Sequence, residues 1–351
     1  MISERWRYAV QVLGEDHSPL RQIPVTMDWD PLREWIRLMA LRQGSTPARA
    51  LLLDCSIDPI WDHNLGDPFV GGLRACALAV EGAHTLAAEF GTSFFSAAAK
   101  AAVNQLVDEG VLQAGTGVRC LPVAYARPQD SDEPLQNGRF TTQAGAPTLH
   151  IRSGSLSHCL ARSASAANAH VGLDDIPVFL PQAVLHEARE LASAESARET
   201  GGLLIGHLCR DVAGGDLFIE ATAQLPARNV DASLHRLTFT SDTWTEFRSA
   251  LALRGQGEIM IGWWHSHPVR EWCKKCSEES QRACALRGDF LSEDDRLLHR
   301  TVFPRAYSLA LVVNVVGYEE PTFSLFGWRQ GLLELRGHHV LHAAGAAAVP
   351  A

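Results

Sequence analysis

The run Ile259-Met260-Ile261-Gly262-Trp263-Trp264 closes on His265-Ser266-His267-Pro268. No other segment constrains the chain as much. Six uncharged, mostly apolar residues in a row read as a buried β-strand. Two histidines two apart on an extended segment point to the same side. A Ser-x-x-Asp follows at Ser292 to Asp295, and Glu199 stands upstream, ahead of Thr200-Gly201-Gly202-Leu203-Leu204-Ile205-Gly206. Two histidines and one aspartate, with a position left for water, are the ligand set of a catalytic rather than a structural zinc site. Asp294 is the adjacent competitor for the carboxylate position.

The chain has 351 residues, enough for two domains of ordinary size. With 46% hydrophobic and 20% charged residues it is expected to build packed cores rather than long disorder. A formal net charge of -9 gives nucleic-acid binding no global electrostatic support, and leaves only local basic patches such as Lys274-Lys275. The first residues, Met1 to Tyr8, carry charges where a signal peptide needs an apolar core. No apolar run approaches the roughly 18 residues of a membrane helix, and Leu309 to Val316 reads as a buried strand. The expectation is a soluble, cytoplasmic protein with neither membrane nor nucleic acid as partner.

Two regions are expected. Residues 1–150 mix helical and extended signals and read as an α+β domain of unknown class. Asp30 and Pro31 read as N-cap and first helical residue, with Leu32, Trp35, Ile36, Met39 and Ala40 behind them in helical period. The Ala-rich stretches Leu73 to Glu89 and Ser96 to Leu112 read as helices. Leu51 to Asp54 and Val118 to Ala124 read as strands, and Gly71-Gly72 as a turn. Residues 127–147, rich in Pro, Gln, Asp, Gly and Thr, are the linker candidate. Ser153 to Asn168 reads as further linker or a short helix.

From Ile176 strands and helices alternate. Strands are expected at 176–180, 202–208, 217–221, 259–264, 307–316 and 322–328. Helices are expected at 181–194, with Val184, Leu185, Ala188 and Leu191 on one face, at 241–253, and from Asp294. Together they form an α/β unit at 175–335 with a mixed sheet. Residues 336–351 read as a frayed tail, and its histidines His338, His339 and His342 as surface residues.

Eight cysteines are present. Cys55, Cys76, Cys120, Cys159 and Cys209 are scattered and read as small buried apolar residues of a reduced protein. Cys273, Cys276 and Cys284 cluster. A CxxC with a third cysteine eight residues on fits a second, structural zinc site. Its fourth ligand stays open between Cys209, His299, His207 and a residue of the tail. Reduced thiols or a redox pair are the plain alternative.

Hydrolysing an amide near neutral pH needs a nucleophile and a proton for the leaving amine. Zinc lowers the pKa of water from roughly 15.7 to about 7 and polarises a carbonyl. Glu199 is the candidate for the proton transfer. Ser292 carries a hydroxyl able to donate to an oxyanion, and it is also a sound helix N-cap before Glu293-Asp294-Asp295.

Glu199-Thr200-Gly201-Gly202-x-Leu204-x-Gly206, Gly262-Trp263-Trp264-His265-Ser266-His267-Pro268 and Phe290-Leu291-Ser292-x-x-Asp295 together resemble the JAMM, or MPN-plus, metalloprotease family. The resemblance covers roughly residues 175–330. It implies a cytidine-deaminase-like mixed sheet flanked by helices. It also implies a zinc on His265, His267 and Asp295, Glu199 as general acid/base, and Ser292 as oxyanion support. Known members are isopeptidases that remove ubiquitin or ubiquitin-like proteins, so the implied partners are a ubiquitin-like modifier, its conjugates, and E1- and E2-like proteins. The composition suggests a bacterial source, where such domains resemble parts of conjugation systems, some of them antiphage. Alternatives within the resemblance are a hydrolase of a sulfur-carrier precursor or small substrate, and a non-catalytic scaffold. One departure stands out. The family has only a few residues between the proline and the serine, whereas residues 269–291, 23 in all, intervene here and carry the clustered cysteines. Specificity is expected to lie in this insertion.

Overall fold

The structure, a computed structural model, describes residues 2–3, 5–44, 54–63, 68–78, 85–126, 149–166, 171–172, 175–195, 197–227, 230–232, 237–277, 279–280, 284–316 and 320–342. It divides into two compact units, Met1–Thr148 and Leu149–Ala351.

The first unit runs β1 (Ile2–Ser3), β2 (Trp6–Leu13), β3 (Pro19–Val25), α1 (Asp30–Arg42), β4 (Asp54–Asp62), β5 (Phe69–Leu78), β6 (Thr85–Gly91), α2 (Ser96–Asp108) and β7 (Arg119–Ala126). Its strands form two sheets, ordered β1-β4-β5-β6 and β3-β2-β7. Ala102 and Leu106 of α2 pack on Val10, Val12 and Ile23. In α1, Trp29 rather than Asp30 takes the cap position.

The second unit runs β8 (Ile151–Gly154), α3 (Leu156–Ala161), β9 (Ser163–Ser165), β10 (Val178–Pro181), α4 (Gln182–Ala194), β11 (Gly201–Asp211), β12 (Leu217–Pro226), β13 (Val230–Ala232), β14 (Leu237–Phe239), α5 (Ser241–Arg254), β15 (Ile259–His267), α6 (Val269–Trp272), α7 (Glu293–Val302), β16 (Leu309–Asn314), β17 (Thr322–Arg329), β18 (Leu332–Arg336) and β19 (His339–Leu341). Ten strands make one mixed sheet in the order β18-β17-β16-β15-β11-β12-β10-β19-β9, with β8 pairing alongside β11. The α/β mixed sheet expected of this half is therefore present.

Its central strands are continuous apolar runs because both faces are covered. Residues 201–209 of β11 and all six of β16 are buried. Glycines let these strands close up. A Cβ on Gly262 would lie 2.0 Å from the carbonyl oxygen of Leu309, and one on Gly206 would lie 2.1 Å from that of Glu220. Helix α4 buries Val184, Leu185 and Ala188 as its period demands, with Ala192 in place of Leu191.

Several expectations fail for physical reasons. Leu73 to Glu89 is not a helix but parts of β5 and β6. Leu73, Ala75 and Ala77 are fully buried while Arg74 is exposed, which is the period of two that a strand imposes. The alanine content hid that alternation. Gly71-Gly72 lies inside β5 beside a register shift, not in a turn, and a Cβ on Gly72 would come within 2.8 Å of the Phe90 carbonyl. Of Ser153 to Asn168, the short helix is present as α3, Leu156–Ala161, but the stretch is no linker, since β8 and β9 on either side of α3 both join the sheet. Nor is the sheet confined to 175–335. Residues 339–341 pair in parallel with β10, and His338 is 2% exposed. The frayed-tail expectation fails as far as residue 342 because β10 offers an edge that His339-Val340-Leu341 completes. The proposed linker at 127–147, Leu51 to Leu53 and residues 343–351 lie outside the described residues. Among the described residues no helix is long and apolar enough to cross a membrane.

Replacing Gly262 with alanine drives a methyl group into the β16 backbone. Overpacking of this kind costs about 3 kcal/mol, so Gly262→Ala is expected to lower the thermal midpoint by several degrees in calorimetry.

Candidate metal centre

Strand β15 delivers the histidines. The antiparallel pairing of β11 and β15 sets Gly201 opposite His265. Thr200 is held at both ends by Ser266: its N–H donates to Ser266 Oγ at 3.0 Å, and its carbonyl accepts from the Ser266 N–H at 2.8 Å. This fixes Glu199, the next residue back, beside the His-Ser-His segment. The carboxylate comes from α7, whose N-terminus is tied by a capping box. Ser292 Oγ accepts from the Asp295 N–H at 3.1 Å, and Asp295 Oδ2 accepts from the Ser292 N–H at 2.8 Å. Ser292 Oγ also donates to Asp295 Oδ2 at 2.7 Å.

These elements bring His265, His267 and Asp295 together. One ligand atom from each lies within 4.8 Å of the others, and this is the one such group among the described residues. The two Nε2 atoms face each other at 3.0 Å, with Asp295 Oδ1 3.4 Å from His265 and Oδ2 3.7 Å from His267. Asp294, the competitor, is not in the group. Two imidazole nitrogens converging beside a carboxylate are a donor set that fits a metal of the zinc kind.

Aromatic packing holds both rings. Trp263 stacks on His265 with centroids 4.5 Å apart, and Phe290 stacks on His267 at 4.5 Å with Trp272 at 5.2 Å. Phe290 and Trp272 both lie in the 269–291 insertion, which therefore forms one wall of the site. Trp263 and Trp264 are fully buried, bonded through their indole N–H groups to His299 and Gln224.

Burial and charge set the protonation states. Glu199 is 5% exposed and its Oε2 has no partner among the described residues. Burial pushes its carboxyl up to about 7, with Asp295 and Asp294 adding to the rise and His265 opposing it. Burial disfavours charge on His265, but Asp295 and Glu199 beside it outweigh this and raise its pKa. The Asp295 carboxyl is held far below the usual range: burial works against ionisation, and His265, His267 and Ser292 overcome it. His267 is lowered by burial, against the pull of Asp295 and Asn314.

Asn314 is a residue the sequence reading missed. It stands opposite His267 in the β15–β16 pairing, and its amide donates to Ser324 Oγ at 2.9 Å while Ser324 bonds Asp289. The available signal was one amide at the end of the apolar run Leu309-Ala310-Leu311-Val312-Val313.

Cys273 and Cys284 bring their sulfurs to 3.6 Å, and burial followed by the two neighbouring thiols pushes the Cys273 thiol up to about 11. Cys276 is exposed. The candidates for a fourth ligand lie elsewhere. Cys209 packs with Cys159, Phe179, Phe218 and Leu341, and His299 accepts from Trp263 at 3.1 Å among Phe303 and Trp328. His207 faces Arg152, Glu258 and Glu220. His338 and His339 are not surface residues. The first is buried, and the second stacks on Phe179 at 5.0 Å.

Residues 181–271 match the family of prokaryotic homologs of the JAB domain. The second unit thus contains a JAMM/MPN-type domain, a class that comprises hydrolases and scaffolds. A protein from Desulfitobacterium hafniense solved in solution is 20% identical, with 47% of this chain and 92% of that chain covered and a TM-score of 0.33. No curated protein matches the chain.

Removing the Ser292 hydroxyl deletes the α7 cap. Ser292→Ala is expected to cost about 1 kcal/mol of unfolding free energy, measured by urea titration with an unchanged slope.

Proposed function

We propose that the second unit is a zinc-dependent isopeptidase that hydrolyses the bond after the C-terminal glycine of a ubiquitin-like modifier. The reading rests on one observation. A buried His-His-Asp group converges on one point, and beside it a buried glutamate has its pKa raised to about 7. A general base poised near the working pH is what such a hydrolysis requires. His265, His267 and Asp295 would hold the zinc, which when bound supplies a Lewis acid and lowers the pKa of water. Glu199 takes the proton of the attacking water and hands it to the leaving nitrogen. Ser292 orients Asp295 and, by rotation of its hydroxyl, donates to the developing oxyanion. Asn314, opposite His267 in the β15–β16 pairing, is placed to steady that ring beside the centre. The choice of a ubiquitin-like substrate, with E1- and E2-like partners in a bacterial, antiphage conjugation system, is carried by the sequence motifs.

Glu199→Gln removes the base without touching a ligand. It is expected to keep the zinc and lose about 10²–10⁴-fold in kcat, measured on a ubiquitin-like fusion with metal analysis alongside. Full activity in this variant, or wild-type protein without zinc, would sink the reading.

We also propose a structural zinc on Cys273 and Cys284, with the exposed Cys276 turning in to join them. Tetrahedral thiolates with bonds of about 2.3 Å sit roughly 3.8 Å apart, close to the 3.6 Å between Cys273 and Cys284. Plasma emission analysis is expected to return two zinc ions per chain, and one for Cys276→Ser with cleavage of the fusion retained. One zinc in both proteins would remove this site.

A further inference from the structure

A cavity of about 950 Å³ opens in the second unit between the end of α3, the first turns of α4, the start of β17 and β19. It is separate from the metal centre. Phe323 and Ser324 are neighbours on β17 and point to opposite faces of the sheet. Ser324 bonds Asn314 on the face of the metal centre, whereas Phe323 lines the cavity beneath Arg189 of α4.

Two guanidiniums, Arg162 and Arg189, lie in the cavity wall with His158, His186, His338 and His342, and Glu220 is the one carboxylate among the described lining residues; burial lowers His338 to about 4, so it stands there as a neutral imidazole. The wall's hydrogen bonds are incomplete. Arg162 bonds His158 and the His342 carbonyl, yet its Nε has no partner, and no carboxylate pairs with it among the described residues. Arg189 pairs with Glu320, a carboxylate 83% exposed, so solvent screens that pair, and the Arg189 Nε also lacks a partner. His338 is 2% exposed and its Nδ1 meets no partner either. Leaving a buried polar group unpaired normally costs about 1–3 kcal/mol, and three residues that carry one, from three separate segments, line one cavity.

The cavity also takes in the N-terminus of α4, a helix of 13 residues. Pro181 is its N-cap and makes no side-chain cap bond, and Pro181, Gln182 and Ala183 line the cavity. Free N–H groups and the positive end of the helix dipole favour an anion there. The remaining wall is apolar, with Leu185, Phe323, Val340 and Leu341.

We propose that this cavity binds a small organic phosphate, with the phosphate at the α4 N-terminus and Arg162 and the organic body against Phe323 and Leu341. A helix N-terminus and two guanidiniums around one cavity favour an anion with several acceptor oxygens, such as a phosphate. The volume lies in the range of small-ligand sites.

Inorganic phosphate and adenosine monophosphate serve as probes, titrated into the full chain and followed by phosphorus NMR line width and by calorimetry. Both are expected to bind, the nucleotide more tightly, with adenosine silent. Arg162→Ala and Arg189→Gln are each expected to weaken the nucleotide at least tenfold, with Arg162→Lys intermediate and melting curves showing that each variant folds. Two results would overturn the site: no broadening by either phosphate at millimolar concentration, or binding that survives both arginine changes. Neither readout involves peptide cleavage, so the proposal stands or falls apart from the isopeptidase reading.

Discussion

The pairing of β11 with β15 sets the geometry on which everything else at the metal centre depends. Gly201 opposite His265, and the two bonds between Thr200 and Ser266, fix a glutamate from one strand against two histidines from the next. A one-residue slip would turn both histidines to the other face. Glycines let the strands on either side close up: a Cβ on Gly202 or Gly206 would collide with a backbone oxygen of β12, and one on Gly262 with a backbone oxygen of β16. The third ligand comes by another route, from a helix end whose capping box makes Asp295 its own N3 residue. Asp295 is thus oriented by the same bonds that start the helix.

A second clamp lies at the opposite side of the unit. Asp175 takes two bonds from Arg329, at 2.9 and 2.5 Å, while Arg336 stands 3.7 Å away and donates to the Ile176 carbonyl at 2.7 Å. Asp175 and Arg336 are buried and Arg329 is partly exposed, so removing either arginine would leave the buried Asp175 charge less compensated. The clamp ties the segment entering β10 to β17 and β18, which are far from it in strand order.

What was legible in the chain followed from where the physics is local. From residue 176 onward apolar periodicity marks each central strand and α4. The spacing of His265 and His267 also shows that both rings share a face. Periodicity was less informative where small residues dominate: in 73–89 the alanines carry no preference strong enough to separate a period of two from 3.6. Short strands such as β8, β9 and β19 gain their stability from the sheet they join rather than from their own residues, so nothing in Ser163-Ala164-Ser165 announces a strand. Asn314 and the aromatic clasp of Trp263, Trp272 and Phe290 matter only through neighbours distant in sequence. The cavity is hidden for the same reason, since its arginines and histidines come from three separate segments.

The placement of β19 has a consequence for the order in which the unit can be built. β9, made early, reaches the sheet only through β19, near the end of the described chain, and β10 keeps an open edge until β19 arrives. Until β19 pairs, β9 stays unattached and β10 keeps an unpaired edge, so loss of residues 339–341 leaves that edge open to association or proteolysis.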